Sequence, residues 1–267
     1  MDLIGNYEEK AFPKIREIIV DTQIHSQKRH HVKGLIELDV TKGREILRKH
    51  REKTGETWSF TGWIMKCLGQ AVNEHKHVQA MRKGKKIVIF EDVDVSVMVE
   101  REIDGKVYPI VFIIRKTNEK SFREIHDEIR NAQIETEEDY VKKEEMRQTG
   151  RLLSLPKFLR NFFFWRKVRK DPFFFKQHMG TVMATSIGMF GRDARTAFGI
   201  STALHPLSVI LGGIAKKPGV IRNKIEIREY LCMTILVDHD VVDGAPAARF
   251  ISRLVELVEN GFGLIEE

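Results

Sequence analysis

Apolar residues follow two different periods along this chain, and the alternation between them predicts its elements. Phe60, Trp63, Ile64, Cys67, Leu68, Ala71 and Val72 recur at i, i+3, i+4 and i+7 behind Ser59, a residue suited to cap a helix. That stripe predicts a helix with one buried face. Val93, Val95, Val97 and Val99 instead alternate with other residues, and Asp104-Gly105 then leads into Val107 to Ile114. Period-two runs on either side of Asp-Gly predict a β-hairpin. Ser121-Phe122-Arg123-Glu124 has the form of a capping box, and Phe122, Ile125 and Ile129 continue it as an apolar stripe. Ile225 to Val237 is rich in β-branched and apolar residues and predicts a long, mostly buried strand. Ala247, Phe250, Ile251, Leu254, Val255 and Val258 predict a closing amphipathic helix. Nearer the start, a helix is expected from about Phe12 to Asp21, a strand over Val32 to Val40 and a charged helix from Thr41 to Lys53. No Pro/Gly/Ser-rich linker or internal repeat divides the series, so one α/β domain over residues 1–267 is the economical reading.

Composition narrows the class. The 267 residues are 42% hydrophobic, enough for a sizeable core. Cys67 and Cys232 fall on a helix stripe and in a strand, which suits neither a disulfide framework nor a metal site. The N-terminus lacks a basic start and apolar run, so a reducing cytoplasmic compartment is expected. The longest stretch without Lys, Arg, Asp or Glu, Thr196 to Ala215, contains His205, Pro206 and three glycines and is rejected as a membrane span. The net charge of +7 is local: Lys142 to Lys170 holds ten Lys/Arg against two Glu, leaving the remainder near neutrality. A distributed nucleic-acid surface is therefore not expected.

Chemistry concentrates at Asp238-His239-Asp240-Val241-Val242-Asp243-Gly244, where a long apolar strand ends and a helix is about to begin. A bare His-x-x-x-Asp-Gly is weak evidence, and in isolation a structural histidine would be the better reading. The segment nevertheless resembles the Asp-His-Arg-x-x-Asp-Gly mark of the catalytic core of 2-oxo acid dehydrogenase complex acyltransferases, a family related to chloramphenicol acetyltransferase. The resemblance extends, in order, through Phe12-Pro13-Lys14-Ile15-Arg16, Glu37-Leu38-Asp39-Val40-Thr41, Asp104 to Val111, Lys120 to Ile125 and Gly180 to Gly191.

The resemblance implies a single chloramphenicol-acetyltransferase-like α/β domain with a mixed central sheet and flanking helices. It implies transfer of an acyl group between CoA and a thiol such as dihydrolipoamide, with no metal. His239 would be the general base and Asp243 its support. Thr185, at the place of the family's serine, would donate to the oxyanion, with Ser186 as the competing assignment. A homotrimer or larger homo-oligomer is implied, with His239 supplied by one chain and Thr185 by its neighbour. Beginning near residue 12, the likeness leaves an expectation of no lipoyl or peripheral subunit-binding domain, so that a separate lipoyl protein would serve the site. The other functional class is an inactive scaffold of the same fold.

Two departures stand out. Asp240 replaces the family's arginine, so an ion pair must be rebuilt or lost, and two acids flanking His239 would raise its pKa if they lay close. An insertion at about 140–178 carries bases interleaved with Phe158, Phe162, Phe163, Phe164, Trp165, Phe173, Phe174 and Phe175. It is open to four readings: aromatics packed on the domain, a partner contact, a membrane surface through 151–175, or a nucleic-acid patch.

Overall fold

The computed structural model describes residues 3–103, 106–134, 152, 154–187 and 195–264. Its elements run α1 (Ile15–Ser26), β1 (His31–Asp39), α2 (Thr41–Thr54), α3 (Phe60–Glu74), a short 3-10 turn, β2 (Met81–Lys83), β3 (Lys86–Val88), β4 (Val95–Ile103), β5 (Lys106–Ile114) and α4 (Phe122–Ile134). After these come α5 (Lys157–Arg160), a π-helical turn (Asn161–Trp165), α6 (Arg166–Lys170), α7 (Pro172–Met179), β6 (Val182–Ser186), β7 (Leu207–Ile221), β8 (Lys224–Asp238) and α8 (Gly244–Glu259). Six strands make a mixed sheet in the order β1-β8-β7-β6-β4-β5, with β6 parallel to both β4 and β7 and the other pairs antiparallel. The expected mixed α/β fold is thus present, and β2 and β3 form a separate ribbon.

Local chemistry explains where the helices begin. Ser59 Oγ accepts from the Gly62 N–H at 3.0 Å, so α3 starts where its hydroxyl cap predicts. At α4, the Ser121 N–H donates to Glu124 Oε2 at 2.7 Å and the Glu124 N–H to Ser121 Oγ at 3.2 Å, the reciprocal bonds of a capping box. The predicted apolar stripe of α3 is buried from Trp63 on, Cys67 included, with Phe60 partly buried, and packs with α4, α8 and the inward residues of the sheet. Burial pushes the Cys67 thiol pKa far up, which makes it a structural residue.

Several boundaries differ from expectation. α1 starts at Ile15 and runs five residues past Asp21, because its last turn packs on residues distant in sequence: His25 Nε2 lies 2.8 Å from Asn161 Oδ1, and Ser26 Oγ donates to Thr202 Oγ1 at 2.7 Å. Val93 precedes β4, its carbonyl accepting from Thr117 in a loop contact. The Asp104-Gly105 turn lies outside the described residues, although Ile103 and Lys106 on either side are paired. β8 is buried only in its second half: Lys224 to Ile227 are exposed on a ribbon that β7 and β8 project past the sheet. Arg222 and Asn223 close that ribbon with φ of 48° and 62°, the left-handed pair that a two-residue hairpin turn needs. The segment just after Arg195 packs against β7, into which the uncharged stretch runs. The Gly213 N–H donates to Ala197 O at 3.0 Å, and a Cβ on Gly212 would lie 2.3 Å from that oxygen.

The described part of the basic, aromatic insertion, from residue 154 on, folds back on the domain. Trp165, Val168 and Phe175 join Met81, Phe90 and Leu204 in a second apolar cluster, and Arg160 is buried between Asp21 (2.9 Å) and Glu17 (2.7 Å) of α1. Phe158, Phe162, Phe163 and Phe173 remain exposed. Packing on the domain therefore accounts for part of the aromatic content and leaves four rings outside it.

Candidate active site

β8 ends at Asp238, and the turn that follows is gripped by residues 29–31. The Arg29 guanidinium pairs with the buried Asp238 carboxylate. His30 holds the turn twice, its carbonyl accepting from the His239 N–H at 2.9 Å and its Nδ1 lying 2.9 Å from Asp240 Oδ1. The hydrogen bond to Asp240, with its charge, raises the pKa of His30. Asp238 organises the turn from within: its Oδ1 accepts from the Asp240 N–H at 3.2 Å, and its carbonyl accepts from Val241 and Val242. Of the two acids flanking His239 in sequence, Asp238 is therefore matched by the Arg29 cation, and Asp240 pairs with His30 where the family's arginine would stand.

His239 itself projects from this turn. Its side chain is exposed and makes no hydrogen bond among the described residues. Asp243 is the N-cap residue of α8, in extended conformation, with its carbonyl accepting from the Ala247 N–H at 3.2 Å. Its carboxylate is exposed and caps no N–H, so within one chain Asp243 shapes the helix start and does not touch His239.

Thr185 lies elsewhere on the sheet. It stands opposite Ile210 of β7, which stands opposite Thr234 of β8, five residues before His239. Two strand spacings across and five residues along put Thr185 and His239 about 19 Å apart, too far to act on one carbonyl within a single chain. Alternation along β6 puts Thr185 on the face opposite the buried Ala184, while Ser186 shares the Ala184 side. Among the described residues, no group of three or more His, Cys, Asp and Glu could hold a metal ion, and no helix is long and apolar enough to cross a membrane.

The supports of the turn were not foreseen. Arg29 and His30 stand out in sequence only as a basic pair before a strand, and their role emerges when β1 pairs His31 with Asp238. His205, read merely as a break in an apolar stretch, is buried. Its Nε2–H donates to Met179 O at 2.6 Å, its own carbonyl accepts from His31 Nε2 at 2.9 Å, and the next carbonyl, that of Pro206, accepts from Asp238 N–H at 2.8 Å.

Burial holds the His205 pKa down to about 4. The unfolded chain takes up this proton near pH 6.5 and the folded chain refuses it until about pH 4, so the contribution of His205 to stability is flat above pH 6.5 and falls as the pH drops between the two. The loss from this group is about 3 kcal/mol. Urea titrations from pH 7 to pH 4 should show that fall, and His205→Asn should remove this part of the slope.

A family model described as 2-oxoacid dehydrogenases acyltransferase (catalytic domain) matches residues 5–154 and 175–265. This chain belongs to that family. The lipoamide acyltransferase component of the branched-chain alpha-keto acid dehydrogenase complex of Bacillus subtilis is 24% identical over 237 residues, 86% of this chain. The chain spans 47% of that relative's length.

Among solved structures, the Azotobacter vinelandii dihydrolipoamide acetyltransferase has a TM-score of 0.69 at 19% identity, covering 97% of this chain and 94% of that one. It was studied for the roles of a serine, a histidine and an asparagine in its catalytic mechanism. The cubic core of a pyruvate dehydrogenase multienzyme complex has a TM-score of 0.68 at 18% identity, covering 97% and 94%. A chloramphenicol acetyltransferase has a TM-score of 0.50 at 12% identity, covering 93% and 96%. At these identities the structures show a shared fold. The family model passes over residues 155–174, the stretch that holds α5, the π turn and α6.

Proposed function

We propose that this chain is an acyltransferase moving an acyl group between CoA and a thiol such as dihydrolipoamide, supplied by a separate lipoyl protein, with His239 as general base. The observation that carries the reading is an exposed, unbonded His239 held by its backbone at the end of β8 in a chain of this family. A thiol of pKa about 8.5 is mostly protonated at neutral pH, so attack on a thioester needs a positioned base. His239 takes the thiol proton as the sulfur bonds to the acyl carbon. The tetrahedral intermediate places negative charge on the former carbonyl oxygen, where a hydroxyl donor stabilises it. Its collapse breaks the original carbon–sulfur bond and returns the proton to the departing sulfur.

Thr185 is the donor we assign, acting from a neighbouring subunit. The separation of about 19 Å within one chain supports a shared site. The projecting β7–β8 ribbon supports oligomerisation, since Val220, Ile225 and Ile227 are each at least 74% exposed on it, a row of apolar residues suited to contact between copies. A homo-oligomer is what a shared site requires, a homotrimer being the form the family resemblance implies, and the Azotobacter study, which treats a serine, a histidine and an asparagine in that enzyme, fits Thr185, His239 and Asp243 as the set to vary.

Acetyl-CoA and longer acyl-CoAs should be assayed against dihydrolipoamide with free-thiol readout. Thr185→Val is expected to lower kcat about 10²-fold with little change in KM. A fully active Thr185→Val beside a dead Ser186→Ala would move the assignment by one residue. Mixing inactive His239→Ala and Thr185→Val chains should restore part of the activity, and no recovery after verified subunit exchange would rule out the shared site.

A further inference from the structure

We propose that the open cleft between the end of α1, the β2–β3 ribbon and α6 binds a phosphate-bearing anion. It holds about 520 Å³, a volume suited to a small ligand, and closes against the Phe175 and Leu204 side chains. Five cations line it: Lys28 and Arg29 from the end of α1, Arg82 from β2, and Arg169 and Lys170 from α6. Two acids also reach it, Asp238 and Asp240, but these are already matched by Arg29 and His30.

Among the described residues the other four cations have no carboxylate of their own. Among the described residues Lys28, Arg169 and Lys170 form no ion pair, and Arg82 donates to the Gly84 carbonyl at 2.9 Å. Their field is felt inside the wall: the His25 pKa is lowered first by burial, then by the charges of Lys28 and Arg169 against the opposing Asn161 bond. Four like charges around one cavity repel one another, and a multivalent anion relieves all of them where a single carboxylate would match one. Two guanidinium forks and two ammonium groups also suit several phosphate oxygens. Arg169 and Lys170 belong to the stretch that the family model passes over, so half of this charge lies outside the part of the chain the model matches.

The phosphate can come from two sources. One is the nucleotide end of CoA, which rests on the acyltransferase reading; the other is a separate phosphorylated small molecule acting beside the His239 turn. Calorimetric titration of the full chain with inorganic pyrophosphate, at about 50 mM salt where screening is weak, tests the shared chemistry. Saturable binding is expected, weakened at least about tenfold in Arg169→Ala/Lys170→Ala and also in Arg82→Ala, with melting temperatures unchanged. The absence of saturable binding to the native chain, or equal binding by the folded variants, would overturn the site.

Steady-state kinetics then separate the sources. A KM that rises for acetyl-CoA and not for acetyl-pantetheine points to CoA, and unchanged acetyl-CoA kinetics beside lost pyrophosphate binding point to a separate ligand. The heat of pyrophosphate binding does not depend on turnover, so failure of this site and failure of the acyltransferase reading are told apart.

Discussion

His239→Ala is expected to lower acyl transfer by about 10²- to 10⁴-fold, the usual contribution of a positioned general base. The fold should be left alone, because the exposed side chain makes no hydrogen bond among the described residues. What holds residue 239 is its N–H donating to His30 O, which alanine keeps, together with the Arg29–Asp238 pair and the two amides that close on the Asp238 carbonyl. Stability should therefore move by no more than about 0.5 kcal/mol, the range of a surface substitution. Rate measurement with acetyl-CoA and dihydrolipoamide, beside a urea unfolding curve, separates the two effects. A variant within threefold of the native rate would mean that another group takes the thiol proton. A variant both inactive and unstable would mean that His239 is structural, which is what the motif alone would have suggested.

What the sequence made legible follows from the range of each interaction. The Ser59 cap, the Ser121–Glu124 box and the α3 and α8 stripes depend on neighbours three or four residues away, and each was placed within a residue or two. β8 was legible because a run of β-branched residues carries its own signal. β7 was not: it is equally long, but its first half resembles an uncharged loop with two glycines, and its second half, with Lys216, Lys217 and Pro218, lies on the exposed ribbon. The site divides the same way. His239, Asp243 and Thr185 came from motif resemblance, whereas Arg29, His30 and His205 act through contacts across 174 to 210 residues of chain that only the pairing of β1 with β8 creates. The replacement of the family's arginine by Asp240 was visible at once. Its partner, His30, was not, because nothing local relates the two positions.

Trp165→Ala is expected to cost about 3–5 kcal/mol in unfolding free energy, the usual range for a large aromatic removed from a core. The insertion that contains it was open to readings as a docking surface, and its rings divide between the two roles. Trp165 is 2% exposed, stacks on His25 with ring centroids 4.7 Å apart and meets Phe164 edge-on at 5.2 Å. Around it, Val168, Phe175 and Leu204 join Met81 and Phe90 from the β2–β3 region, so the side chain ties a stretch the family model passes over to elements the model matches. Phe162, three residues earlier, is 58% exposed and should cost about 0.5 kcal/mol or less when changed to Ala. Paired urea curves of the two variants test the division. Equal small effects would mean that the second cluster adds little and that the insertion is an appendage. Equal large effects would mean that Phe162 is covered in the assembled protein, which the concentration dependence of the unfolding midpoint would reveal.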